Sequence, residues 1–283
     1  MGLPDFIIIG AMKCGTSTLA QQLGAQPGIF MTTPKEPNFF SDDAVWARGP
    51  GWYGALFDDA RPGDLKGEAS THYTKLPTHP DTIARLRSVV DVPRLVYLIR
   101  NPLDRLVSHF IHEWTMGVMH GSIDAAVEKH PELVDYGCYG KQLEPWIAAF
   151  GADALTVVTH TQLKRDPQRL LAEVAHFIGY PGQAGWQDLP PENVSAERIQ
   201  RRPLDRFLID SPVATMLRRW LVPQALRDRV KQGRQMRERP VLGQAARARV
   251  EARFAEDYRT LTAITGPRDD IDACYPFLTA TSA

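Results

Sequence analysis

A glycine-flanked loop near the start of the chain has the composition of an anion cradle. Gly10 and Gly15 bracket Lys13, and Thr16, Ser17 and Thr18 follow at once. Such a loop aims backbone N–H groups at one spot, and a helix starting behind it adds the positive end of its dipole. The nucleotide triphosphatase form of the loop is G-x-x-x-x-G-K-[ST]. Gly10 and Gly15 keep that spacing, but Thr16 stands in the lysine's place and the lysine sits inside the loop at position 13. Magnesium-assisted phosphoryl transfer also needs an acidic residue, typically at the end of another strand. The clearest strand-like run, residues 94–99, ends instead in Arg100. The combination reads as a phosphate cradle with no metal. Phosphoryl transfer relies on Mg²⁺ to neutralise developing charge. A sulfuryl group carries less charge and is transferable by protein donors alone.

The elements that must position these residues follow from hydrophobic period. The apolar run of residues 6–9 is a buried strand, and residues 16–25 place Leu19 and Leu23 on one helix face. Residues 29–31, 65–68, 94–99 and 154–158 are further strands. Residues 82–89, 139–150 and 167–178 are helices. Pro102 opens another helix, which turns Leu103, Leu106, Val107, Phe110 and Ile111 inward. A last helix, residues 244–265, carries Val250, Phe254, Tyr258 and Leu261 at helical spacing, expected to pack on the sheet. Strand–helix alternation predicts an α/β fold with a central parallel β-sheet flanked by helices. A single domain over residues 1–283 is expected: a core to residue 190, then a helical, arginine-rich part. The arginines of residues 198–239 form either a solvated face or a cover over a polyanionic ligand.

Composition bounds the function. The 283 residues hold 33 Lys+Arg and 33 Asp+Glu, a formal net charge of zero. That balance argues against a nucleic-acid partner, since such domains are usually basic overall. Cys14, Cys138 and Cys274 lie too far apart for a disulfide framework or a four-ligand zinc site. A reduced compartment fits. No segment reaches the ~18 apolar residues of a membrane span, and residues 6–9 are too short for a signal-peptide core. A cytoplasmic location with no membrane partner is expected. Arg-rich, Lys-poor, Ala-rich usage suggests a bacterial genome and a small metabolite of secondary metabolism, or a glycan, as the acceptor.

Several motifs in order resemble one family. Lys13-Cys14-Gly15-Thr16-Ser17, then Pro34-Lys35-Glu36-Pro37-Asn38-Phe39-Phe40, then Arg100 to Ser108, then Tyr139 and Trp146, are similar to sulfotransferases that use 3′-phosphoadenosine 5′-phosphosulfate (PAPS). They are closer to the heparan-sulfate type and its bacterial relatives than to the steroid and phenol type, and the resemblance covers residues 5–180. It implies a P-loop-like fold, PAPS as co-substrate, no metal, and sulfuryl transfer to a hydroxyl, less readily to an amine.

By this resemblance Lys13, Cys14, Gly15, Thr16, Ser17 and Thr18 hold the 5′-phosphosulfate, and Arg100 and Ser108 hold the 3′-phosphate. Arg105 either supports that site or points outward. Glu36 is the candidate base, with a carboxyl pKa raised by dehydration. His72 competes for that role. Glu68 is expected to orient Lys13 or the acceptor. Phe40 and Tyr73, with Phe39, Trp46, Trp52 and Tyr53, are either acceptor-pocket walls or core. Arg237 and Arg239 are candidates for a basic loop over the 3′-phosphate, with Arg198 to Arg202 as an alternative. A thiol at a helix start, Cys14, has its pKa lowered, unless it is simply a small residue that fits. His109 and His112 read as packing or surface residues. Ala69 stands where some heparan-type enzymes have a second lysine. Two other readings compete: a P-loop kinase or nucleoside triphosphatase, and a non-catalytic phosphonucleotide-binding protein.

Overall fold

A computed structural model describes residues 2–91, 94–190, 236 and 238–279. Five strands form one sheet: β1 (Phe6–Gly10), β2 (Ile29–Met31), β3 (Leu65–Ala69), β4 (Arg94–Ile99) and β5 (Leu155–Thr159). Their order is β2-β3-β1-β4-β5 and every pairing is parallel. The near-continuous apolar sequences of β1 and β4 have a direct cause. Both faces of a parallel sheet are covered, so a central strand has no wet side. All of β1 is buried. Gly67 is required where β3 passes β1, because a Cβ there would lie 2.2 Å from the Phe6 ring and 2.6 Å from the Met31 sulfur.

Among the helices of the described residues are α1 (Thr16–Gly24), α2 (Thr82–Arg87), α3 (Pro102–Thr115), α4 (Tyr139–Phe150), α5 (Pro167–Phe177) and α6 (Gln244–Thr265). The expected strands and helices are all present, with ends shifted by one or two residues. On α3, Leu106, Val107, Phe110 and Ile111 are buried while Leu103 is half-buried. The packing of α6 differs from expectation: it lies on α4, not on the sheet. Gly140 allows the contact, since a Cβ there would meet the Leu261 N at 2.6 Å and the Asp257 O at 2.7 Å. Asp257 on α6 accepts from the backbone N–H groups of Gly140 and Lys141, each at 2.8 Å, and so caps the first turn of α4.

The chain goes from the central β1 out to β2 at one edge, comes back with β3 beside β1, and then crosses to β4 and β5 on the other side. The order therefore reverses at β1, and ligands of open α/β sheets bind outside the carboxyl ends of the strands at such a point. Among the described residues no helix is long and apolar enough to cross a membrane. The arginine-rich stretch, including Arg198 to Arg202 and Arg237, lies outside the described residues apart from Met236, Glu238 and Arg239.

Candidate active site

Residues 11–15 leave β1 at the reversal point and deliver the chain into α1. Lys13 (φ 68°) and Gly15 (φ 99°) both take left-handed backbone angles, which a glycine adopts without cost. A Cβ on Gly15 would also come within 2.8 Å of Leu163. No side chain caps the start of α1, so its first N–H groups face the loop. Thr16 is buried at this corner, and Ser17 and Thr18 are half-buried. Cys14 turns the other way. It is fully buried, with its sulfur 3.6 Å from the Tyr139 hydroxyl, and burial raises its pKa. Burial overrides the helix-start effect, and the packing agrees with the other reading of Cys14, a small residue that fits.

Arg100, at the end of β4, closes against this loop. Its Nη1 donates to the Lys13 carbonyl at 3.2 Å. Tyr139 fixes the turn by donating to the Arg100 carbonyl at 3.0 Å. Arg100 Nη2 lies 3.7 Å from Asp104, and Arg239 donates to the same carboxylate at 2.6 Å. Arg100 Nε is buried and has no partner among the described residues. An orphaned buried donor is what an anion site would satisfy. Asn101 caps α3 through Leu103 N and Asp104 N, and Ser108 is half-buried two turns along that helix. A cavity of about 310 Å³ opens here, lined by Arg100, Asn101, Asp104, His160, Thr161, Lys164 and Arg165. The last four were missed from sequence. Their signal was position: they follow β5, the neighbour of β4, and a Thr159–Gln162 capping box fixes the short helix His160–Arg165. Arg105 does not point outward. It is 0% exposed, donates to the Leu133 carbonyl, and its Nη1 is 3.5 Å from His109 Nδ1.

Glu36 comes to the same end of the sheet from the loop after β2. Its N–H bonds the Ala69 carbonyl at 3.0 Å, so β3 holds the loop. Its Oε1 accepts from Lys35 at 2.8 Å and Thr71 at 3.2 Å. Burial pushes its pKa up, but Lys35, His72 and Lys75 outweigh burial and the carboxyl ends below its ordinary range. The expected raised pKa is therefore corrected. Glu36 is ionised at neutral pH, ready to accept a proton but with a small driving force. His72 stacks on His79 at 5.1 Å, and burial, Lys75 and His79 bring it down to about 4. It is neutral at neutral pH and a weak base.

The three residues expected on the acceptor side, Glu68, Phe40 and Tyr73, are buried. Glu68 is 0% exposed, accepts from Ser70 at 2.7 Å and from Tyr53, and has its pKa raised by burial. Its hydrogen-bond partners belong to the aromatic core and the end of β3. Phe40 and Tyr73 are buried in that core beside Phe39, Tyr53 and Trp46. Tyr73 lies beside Glu68 with its hydroxyl outside good hydrogen-bond geometry. The Glu68–Ser70 pair still serves the site indirectly, because Ser70 Oγ accepts from Asn38 N at 3.1 Å and pins the loop that bears Glu36.

Lys13 is pulled into one electrostatic neighbourhood with Glu36. Burial lowers its pKa, opposed first by Glu113 and then by Glu36, while Arg100 and Lys35 push it down further. His112 faces Lys13 as well. Lys75 and Glu113 belong to the same neighbourhood. Sequence reasoning passed over both, and neither stands in a motif.

A protein-family model, "Sulfotransferase domain", matches residues 3–204. The chain belongs to this sulfotransferase family. The family is one of sulfuryl-transferring enzymes, and the P-loop kinase reading is not favoured. Over 186 residues the sulfotransferase chain is 26% identical to a Mus musculus heparan sulfate glucosamine 3-O-sulfotransferase 3B1, covering 62% of this chain and 46% of that one. Over 195 residues it is 26% identical to a Caenorhabditis elegans bifunctional heparan sulfate N-deacetylase/N-sulfotransferase 1, covering 63% and 22%. The chain thus spans about half or less of the length of these curated relatives. A solved sulfotransferase from Alicyclobacillus acidocaldarius has the same fold, with a TM-score of 0.68 at 22% identity over 95% of this chain and 98% of that one.

Proposed function

We propose that this chain transfers a sulfuryl group from PAPS to a hydroxyl of a small metabolite or a glycan. The observation that carries the reading is the meeting of Lys13, Arg100 and Glu36 at the carboxyl end of the sheet, where the strand order reverses. The domain fits the co-substrate. The loop N–H groups, Thr16 and Ser17 suit a 5′-phosphate, and Arg100, with its unsatisfied Nε and the half-buried Ser108, suits a 3′-phosphate. Arg239 supports a contribution from the C-terminal part, since it holds Asp104 next to Arg100.

The chain's own groups divide the chemistry. Lys13 offers an ammonium to the oxygen that gains charge as the S–O bond breaks. Glu36 takes the proton of the attacking hydroxyl, which forms the new O–S bond on the opposite side of sulfur in line. His72, held at about 4, contributes a neutral ring rather than the base. These placements need no metal.

The decisive experiment measures binding of 3′-phosphoadenosine 5′-phosphate (PAP) and ATP by calorimetry, then screens hydroxyl acceptors with radiolabelled PAPS in excess EDTA. Tight PAP binding with weak ATP binding, and labelled product in EDTA, are expected. ATP bound more tightly than PAP, or strict magnesium dependence, would sink the reading. PAP binding with no turnover on any acceptor would favour a non-catalytic binding protein.

A further inference from the structure

A carboxylate stands among the cations beside Arg100. Arg100, Lys164 and Arg165 line the cavity of about 310 Å³, and among the described residues Asp104 is its one acidic wall residue. His160 adds no charge at neutral pH, because burial, with Arg100 and Lys164 beside it, brings its pKa down to about 4. Asp104 lies in the first turn of α3, where a carboxylate suits the helix dipole. The dipole accounts for an acid at that position but not for its two partners. One carboxylate oxygen accepts from Arg239 Nη2 at 2.6 Å, and the other lies 3.7 Å from Arg100 Nη2. Asp104 thus stands between two arginines from distant segments, one at the end of β4 and one shortly before α6.

The three groups are bonded unequally. Arg100 uses Nη1 on the Lys13 carbonyl at 3.2 Å. Its Nε is buried with no partner among the described residues, and its Nη2 is too far from Asp104 for a hydrogen bond. The Nε–Nη2 edge, which can take an anion through two parallel bonds, is therefore faced by Asp104 but not bonded to it. Arg239 is bonded, yet its side chain is 47% exposed and that of Asp104 52%. An ion pair so open to water is weak and exchanges readily. A phosphate carries more charge and more acceptor oxygens than a carboxylate, so it takes either arginine in preference to Asp104.

We propose that Asp104 is a counterweight in the donor site: its carboxylate competes with the 3′-phosphate for Arg100 and Arg239, which lowers the affinity for the nucleotide and speeds release of the spent one. The proposal rests on the reading of Arg100 as a 3′-phosphate ligand given above. Sulfuryl transfer creates the need. PAPS gives up its sulfuryl group and keeps both phosphates, so PAP leaves a site that still grips it at two places. A wall of cations alone would retain it, and release of product limits many enzymes. A carboxylate already placed between the two arginines takes them back as the phosphate departs.

The test measures PAP and adenosine 5′-monophosphate (AMP), which lacks the 3′-phosphate, by calorimetry at one salt concentration, and PAP dissociation by stopped-flow displacement. The chains are wild type, Asp104→Asn, Asp104→Ser, Arg239→Gln and the double variant Asp104→Asn with Arg239→Gln. Asp104→Asn should bind PAP about fivefold tighter, the scale of an exposed ion pair. Its PAP should leave correspondingly more slowly, and its AMP affinity should stay within about twofold of wild type. Arg239→Gln should weaken PAP binding more in the Asp104→Asn background than in the wild-type chain, because only there is Arg239 free of the carboxylate. A residue that merely holds the two arginines in place predicts the opposite sign, weaker PAP binding once Asp104 is neutral. PAP affinity within about twofold of wild type or weaker in Asp104→Asn, an equal gain for AMP, or an equal loss from Arg239→Gln in both backgrounds overturns the proposal. Should Asp104→Asn misfold, Asp104→Ser removes the same charge and decides it. Failure of the wild-type chain to bind PAP would instead overturn the reading of the donor site.

Discussion

At the scale of single residues, Glu36 and Arg100 carry separable duties. Glu36→Gln keeps the size and the Thr71 contact but removes the proton acceptor. Turnover with an accepted hydroxyl should fall at least ~100-fold, in line with losing a general base, while calorimetric PAP affinity stays within about threefold. Unchanged turnover would transfer the role elsewhere. The pH profile follows from the direction of the shift. Lys35 and its neighbours hold Glu36 below the ordinary carboxyl value of 4.5, so the acid limb should lie below that pH. His72 is held at about 4, so the loss of that limb in Glu36→Gln, rather than its position, separates the two residues. Arg100→Met should weaken PAP binding by about 1.5–3 kcal/mol, the worth of a hydrogen bond to a charged group, and should affect binding of a ligand lacking the 3′-phosphate much less.

At the scale of elements, the α4–α6 contact joins the C-terminal helix to the rest of the fold. Gly140→Ala forces a methyl against the α6 backbone, where neither side can give. A loss of about 1–3 kcal/mol in urea unfolding is expected for such overpacking. Asp257→Ala strands a buried and a part-buried N–H group of α4 and should cost a similar ~1–3 kcal/mol. Near-wild-type stability in both would mean that α6 docks elsewhere. The Glu36 loop is an element of another kind. It has no regular structure, and β3 holds it through Ala69 O and the Glu68–Ser70 pair.

At the scale of the molecule, one core runs through the sheet and both helix layers, and all three cysteines are buried in it and free. Burial raises Cys14 and pushes Cys138 and Cys274 up to about 12. Native protein at pH 8 should therefore react slowly with a disulfide reagent, and reductant should leave PAP binding unchanged. All three thiols should titrate at once in denaturant. Rapid native labelling of Cys14 would show that the loop opens.

The sequence alone determined the elements and the cradle. β1, α1, β4 and α3 are written in local patterns: apolar runs, glycines at forced angles, a proline at a helix start. These depend on neighbours a few positions away. The partnership of Arg100 with the loop was legible only because both ends carry motifs, although 87 positions separate them. The tertiary structure decided which way the remaining side chains face. It buried Cys14, Glu68, Phe40, Tyr73 and Arg105, and it placed His160, Thr161, Lys164 and Arg165, outside any motif, in one cavity with Arg100. It also set the sign of the Glu36 shift. Burial and field are sums over atoms from distant segments, and a residue type carries no record of them until the strands have chosen their order.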